Sequence, residues 1–178
     1  MRPLMSVGAL LATAAFLAAC SSGPGPLGQG GTSGQQCMPQ PEGVPTTVGL
    51  YDLHNSGSSP VTVHGISLPH DHGLTMTSSW LTPIYHGVGR DLVIGVSWPW
   101  PPSRSTGAGA AAVRWAWAPR KPLTGAVIKP HEDLNLVFGL TRTTARNSYS
   151  GGPVITYSTG GTAYTVSEKT TLEVAKSC

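Results

Sequence analysis

The chain is predicted to fold as an all-β protein, an antiparallel sandwich of about seven to eight short strands. Three observations predict it. Charged residues make up only 11% of the 178 residues, against roughly 25% in an average soluble protein. Glycine and proline are frequent, with 23 and 16 copies, whereas helices favour Glu, Lys, Leu and Arg. Short apolar and polar alternations recur between turn-forming clusters, at the roughly 8–12-residue spacing typical of β-sandwiches.

The elements follow in order. Thr46 to His54 alternates, with Val48 and Leu50 on one side. Asn55-Ser56-Gly57-Ser58-Ser59-Pro60 is a turn cluster, and Val61 to Leu68 returns as a strand. Within that strand Val61 and Val63 share one parity and Ile66 and Leu68 the other, so a bulge at Gly65 is expected to restore one core face. From Asp91 to Trp98 the residues Leu92, Ile94, Val96 and Trp98 point one way, as do Leu134, Leu136, Phe138 and Leu140 further on. Ser158 to Thr162 carries two glycines suited to a hairpin turn between Val154–Tyr157 and Ala163–Val166. Thr170 to Ala175 closes the set. Pro99 to Ala111 is expected to be a loop. Ala112 to Ala118 fits a strand or a short helix, and the strand is the reading adopted, with Trp115 and Trp117 on one face.

The N-terminus is of another kind. Arg2 precedes an apolar run, Leu4 to Leu17. A membrane-spanning helix needs about 20 apolar residues, so this shorter run reads as the core of a signal peptide. It ends in Leu17-Ala18-Ala19-Cys20, which resembles the lipobox of bacterial lipoproteins. The resemblance implies cleavage before Cys20, diacylglycerol on the Cys20 thiol, and a chain held at the extracytoplasmic face of the cell membrane by its acyl chains. Cleavage there removes 19 residues and leaves 159. Three segments are therefore expected: signal peptide 1–19, lipidated cysteine and tether 20–36, and sandwich domain 37–178. The tether contains one apolar side chain, Leu27, and no charge, so it is expected to be flexible with a reach of roughly 20 Å. Once Cys20 is taken by lipid, Cys37 and Cys178 form an even pair in an oxidising compartment, and a disulfide joining the two ends of the domain is expected.

Recognised catalytic signatures are missing. There is no Gly-x-Ser-x-Gly elbow, no His-Glu-x-x-His and no phosphate-binding glycine loop, and the eight carboxylates are scattered. No enzyme activity and no cofactor are expected. Lys and Arg are dispersed along the chain and the net charge is small, which argues against nucleic acid. Two clusters remain. His70-Asp71-His72, with Met76 close by and His64 and His86 in reach, has residue types that bind soft or borderline metals, but Pro69 to Gly73 is equally a polar turn. Trp98-Pro99-Trp100-Pro101-Pro102 and Trp115-x-Trp117 place four of the five tryptophans beside a loop. Trp98 fits the apolar face of its strand. Trp100, set among prolines, is the one expected to be exposed and to meet a partner.

The whole chain resembles the small, Gly/Pro/Ala-rich lipoproteins common in actinobacteria, with an immunoglobulin-like domain behind a lipobox. The first strand also runs into Asn55-x-Gly57 in a way similar to periplasmic His/Met copper chaperones, although the His-x-Met pair of that family is absent. The expected function is a lipid-anchored surface binding or scaffolding module that contacts an extracytoplasmic protein or glycan. The alternative is an exported lipoprotein that handles copper or zinc through His and Met.

Overall fold

The computed structural model describes residues 25–30, 33–86 and 91–178; the lipobox and Cys20 lie outside the described residues. Two layers of strands enclose the core. In the first, β1 (Leu27–Gly30), β3 (Pro45–Asn55), β10 (Asp133–Arg142), β5 (Leu74–Pro83) and β8 (Lys121–Pro122) form one five-stranded antiparallel sheet in that spatial order. The second contains β4 (Val61–Ser67), β9 (Val127–Ile128), β12 (Val154–Thr159) and β13 (Thr162–Ser167), with β12 between β4 and β13. A further ladder joins β11 (Ser148–Ser150), β14 (Thr171–Ala175) and β2 (Gln35–Pro39). It continues the same strand pair: β11 runs into β12 through Gly151–Pro153, and β13 into β14 through Glu168–Thr170. β2 runs parallel to β14. With β10 between β3 and β5 in one layer, β12 between β4 and β13 in the other, and β2 parallel to the last strand, this is the immunoglobulin-like order.

The core lies between the layers. Val48, Tyr51, Leu53, Leu136, Phe138 and Leu140 from the first meet Val61, Val63, Ile155, Tyr157, Leu172 and Val174 from the second. Strand alternation explains most of this set. Two bulges explain the rest. In β3, Val48 faces Phe138 and Tyr51 faces Leu136, so an extra residue on β3 resets its parity and brings Tyr51 and Leu53 inward after Val48. Gly49 sits in this bulge against Ile94, whose carbonyl a Cβ would overlap. In β4 the shift falls between Val63 and Gly65, where the sequence predicts it.

β10 is buried on both faces. Its other side, with Val137, Asn135 and Gly139, is covered by a second apolar cluster of Ile94, Ala116 and Trp117, with Trp80, Tyr85, Leu92, Trp98 and Trp100 packed around it. The covering chain is built from the hairpin β6 (Tyr85–His86) with β7 (Asp91–Leu92), a loop, and helix α1 (Ala110–Trp117). Ala112 to Ala118 is thus helical, not a strand. Gly109 at φ 79° opens the helix and three alanines carry its first turn. Val113, Ala116 and Trp117 are buried while Arg114 and Trp115 are exposed, a helical spacing. Asp91 to Trp98 is likewise no continuous strand. Only Asp91–Leu92 forms a strand, Ser97 and Trp98 exchange backbone hydrogen bonds with Thr47, and Leu92, Ile94 and Trp98 join the outer cluster while Val96 joins the inner one, with Ser97 at φ 63° turning the chain after Val96.

The stretch expected to be a flexible tether contains β1 and the start of β2. Leu27 and Gly28 pair with Asn55 and His54, and the one apolar side chain of the stretch, Leu27, is buried under the Tyr157 hydroxyl.

Candidate functional site

Two polar hubs fasten β3, one at its C-terminal end and one at its bulge. At its C-terminal end the buried Asn55 amide donates to the carbonyls of Ser59 (3.0 Å), Ile128 (3.1 Å) and Lys129 (3.0 Å). Its Oδ1 accepts the Gly57 N–H at 3.0 Å. Asn55 therefore clasps its own Asn-x-Gly turn to the end of β9. Near the bulge, buried Asn135 donates to the Gly49 and Tyr51 carbonyls and accepts the Ile94 N–H at 3.0 Å, which fastens the covering loop to the sheet.

Cys37 and Cys178 form a disulfide, with Cα atoms 5.9 Å apart. The parallel pairing of β2 with β14 explains it: Cys37 faces Glu173, and the chain returns past β2 within a few residues.

Trp100 is half-buried, not exposed. Its indole covers Gly139, whose missing side chain makes room for the ring, and meets Trp117 edge-on with centroids 5.5 Å apart. Trp98 also packs on the outer cluster. Beside Trp100 lies an open cleft of about 370 Å³ lined by Gln40, Val44, Pro45, Pro99, Trp100 and Arg104. Its lining combines apolar residues with Gln40, Ser97 and one cation, Arg104, and Val44 is 43% exposed. The exposed tryptophan is Trp115, at 54%. Its ring lies 3.9 Å from that of Tyr85. Arg120 spans Trp80 and Trp117, with its guanidinium carbon 5.1 and 4.7 Å from their rings. Helical spacing of Trp115 against Val113 and Ala116 was the signal for its exposure, once α1 is taken as a helix.

The histidines are kept apart. His70, at φ 54°, is exposed in a turn, and His72 stacks on Tyr149 at 5.2 Å while their backbones exchange hydrogen bonds. His64 contacts the Ser158 hydroxyl at 2.8 Å, His54 contacts Asp133 at 2.6 Å, and Met76 packs against the core. Among the described residues no three His, Cys, Asp or Glu side chains gather to hold a metal. The turn reading of Pro69 to Gly73 is the one the structure has.

Among the described residues, burial shifts the titration of Tyr51, Tyr157 and Glu168. Burial pushes the Tyr51 hydroxyl far up, and the Glu168 charge beside it adds to this. Tyr157 is raised by burial, with the Leu27 N–H hydrogen bond acting the other way. Glu168 is raised by burial and partly offset by the Lys169 backbone N–H. They lie between the layers and at the β13–β14 break, away from the Trp100 cleft.

No family model and no curated protein matches the chain. Among solved structures it is similar to the ASH/PapD-like domain of human CEP192 (PapD-like domain 7), at 13% identity and TM-score 0.42, over 97% of this chain and 96% of that one. It is also similar to the Vibrio cholerae VesB protease, at 9% identity and TM-score 0.41, over 84% of this chain and 32% of that one. Likenesses this distant say nothing of function. Among the described residues no helix is long and apolar enough to cross a membrane.

Proposed function

We propose that the chain is a lipid-anchored, extracytoplasmic binding module that performs no chemistry and grips a protein or glycan partner at the Trp100 cleft. Leu17-Ala18-Ala19-Cys20 supports the anchor. The observation that carries the binding reading is the cleft itself. A rigid indole, seated on Gly139 and braced by Trp117, forms one wall, and the exposed Val44 and Arg104 stand at its rim. Such a wall offers contact area with little ordering cost, which is what a recognition surface needs. Its position fits too. Pro45 opens β3 at the cleft, whereas β1 joins the other end of that strand at Asn55. At the usual strand rise the two ends are about 33 Å apart, so the cleft faces away from the anchored end.

The test places a photo-crosslinking residue at Val44 and, as a control, at exposed Thr165 on β13. A discrete adduct at Val44 alone, abolished by Arg104→Glu, is the expected result. Adducts of equal yield at both positions, or insensitive to Arg104→Glu, overturn the reading. Intact mass of detergent-extracted protein checks the anchor separately, because it must show a chain beginning at Cys20 with a diacylglyceryl adduct.

A further inference from the structure

We infer that the face formed by α1 and the β6–β7 hairpin is a membrane-contact surface, which lays the anchored domain against anionic phospholipid through Trp115, Tyr85 and the arginines around them. The inference rests on the anchored reading above and adds a second, non-covalent contact to it. Three observations carry it.

The first is charge. Between Asp91 and Glu132 the chain carries Arg104, Arg114, Arg120, Lys121 and Lys129 and no Asp or Glu. In sequence these cations look dispersed. Folding wraps the segment over one face of the five-stranded sheet, where Arg114 and Arg120 are exposed, while Arg104 belongs to the Trp100 cleft. Arg114 and Arg120 donate to the backbone carbonyls of Ser105 and Trp117, which positions them. A cationic face of this kind is complementary to phosphate headgroups.

The second is the aromatic pair. Trp115 is 54% exposed and Tyr85 lies against it. Amphipathic rings beside arginines favour the boundary between headgroups and acyl chains.

The third is where the chain outside the described residues ends. β1 aligns Gly28 with His54, and His54 aligns with Asp133. Leu134, the next residue, aligns with Pro83, and Tyr85 follows two residues later. The start of β1 and the Tyr85–Trp115 pair therefore lie at the same end of the sheet, about 14 Å apart across three strand spacings. Because β1 and not a loose tether begins at Leu27, only the residues between Cys20 and Gly25 separate the anchor from the domain, at most about 18 Å of extended chain. That length holds this end at the headgroups.

The test uses the acylated chain in nanodiscs made of equal parts of phosphatidylcholine and phosphatidylglycerol with brominated acyl chains, read by tryptophan emission. With five tryptophans in the chain, quenching of roughly one fifth of the emission is expected, and Trp115→Phe should abolish it. Pure phosphatidylcholine discs, or the Arg114→Gln/Arg120→Gln variant, should lose most of the quenching, since each arginine removed weakens the contact about fivefold. Intact mass of the same sample reports acylation. A chain without acyl groups overturns the anchored reading and this inference with it. An acylated chain whose Trp115 is unquenched by lipid and open to aqueous acrylamide overturns this inference alone, and leaves the face free for a soluble partner.

Discussion

Replacing Asn55 should be the most damaging polar substitution in the domain, and the cost can be worked from its contacts. The side chain is fully buried and makes four hydrogen bonds, three to carbonyls and one from the Gly57 N–H. Asn55→Ala removes all four. The Ile128 carbonyl lies deepest, so leaving it unpaired costs about 1–3 kcal/mol. The bonds to Ser59, Lys129 and Gly57 are partly open to water, which can replace them, and contribute about 0.5–1 kcal/mol each. Together the expected loss is about 2.5–6 kcal/mol, or roughly 7–18 °C in thermal midpoint for a domain of this size. Asn55→Asp separates the polar clasp from simple volume. It keeps an acceptor for Gly57 but turns a carboxylate oxygen towards three carbonyls. Its folded pKa should therefore lie above the unfolded value, so the variant is closest to wild type at acid pH and loses stability as the pH rises through that value. The assay is equilibrium urea unfolding of the oxidised protein at pH 4 and pH 7. An alanine variant within about 1 kcal/mol of wild type, or an aspartate variant no weaker at pH 7 than at pH 4, would refute the reasoning.

Three further outcomes are expected. Replacing both Cys37 and Cys178 with Ser should lower stability by up to about 5 kcal/mol, because the bridge closes a ring with a sequence separation of 141, and non-reducing peptide mapping of wild type should show no free thiol at either position. Glu168→Gln should be more stable than wild type at pH 7 and close to it at pH 4: the folded carboxyl has a raised pKa, so wild type loses stability as the pH rises from the unfolded value through the folded one, as pH-dependent unfolding would record. Trp100→Ala should lower the thermal midpoint because the indole covers Gly139 and braces Trp117, whereas Trp115→Ala should change stability by less than about 0.5 kcal/mol; equal midpoints for the two variants would contradict their packing.

The parts of the fold legible in the sequence are those where large apolar residues keep a strict two-residue alternation, or where a special residue marks a break. Leu134 to Leu140, the Gly160-Gly161 turn at φ 56° and 81°, the Gly65 bulge and the Cys37–Cys178 pair all belong there. The rest escapes for physical reasons. Ala112 to Ala118 is too short for its period to decide between strand and helix, and Trp115 and Trp117 look paired only if the period is two. The helix is decided by burial of Val113, Ala116 and Trp117 against β10, a tertiary event. In Thr46 to His54 a bulge with no proline or turn cluster shifts parity, and its cause, the approach of Ile94 to Gly49, comes from a segment far away in sequence. β1 has one apolar residue, so its place in the sheet comes from the pocket that receives Leu27 and not from its own pattern.

The same displacement of α1 from strand to helix rearranges the candidate site. A strand over Ala112 to Ala118 would turn Trp115 and Trp117 to the same side. In the helix they diverge, so Trp117 becomes the brace beneath Trp100 and Trp115 is released to solvent beside Tyr85. One tryptophan motif thereby serves two surfaces. Trp117 stiffens the cleft near the start of β3, and Trp115 projects towards the end where β1 joins the sheet. The two substitutions should therefore separate: loss of Trp117 should soften the cleft and the fold together, while loss of Trp115 should change only what the outer face touches.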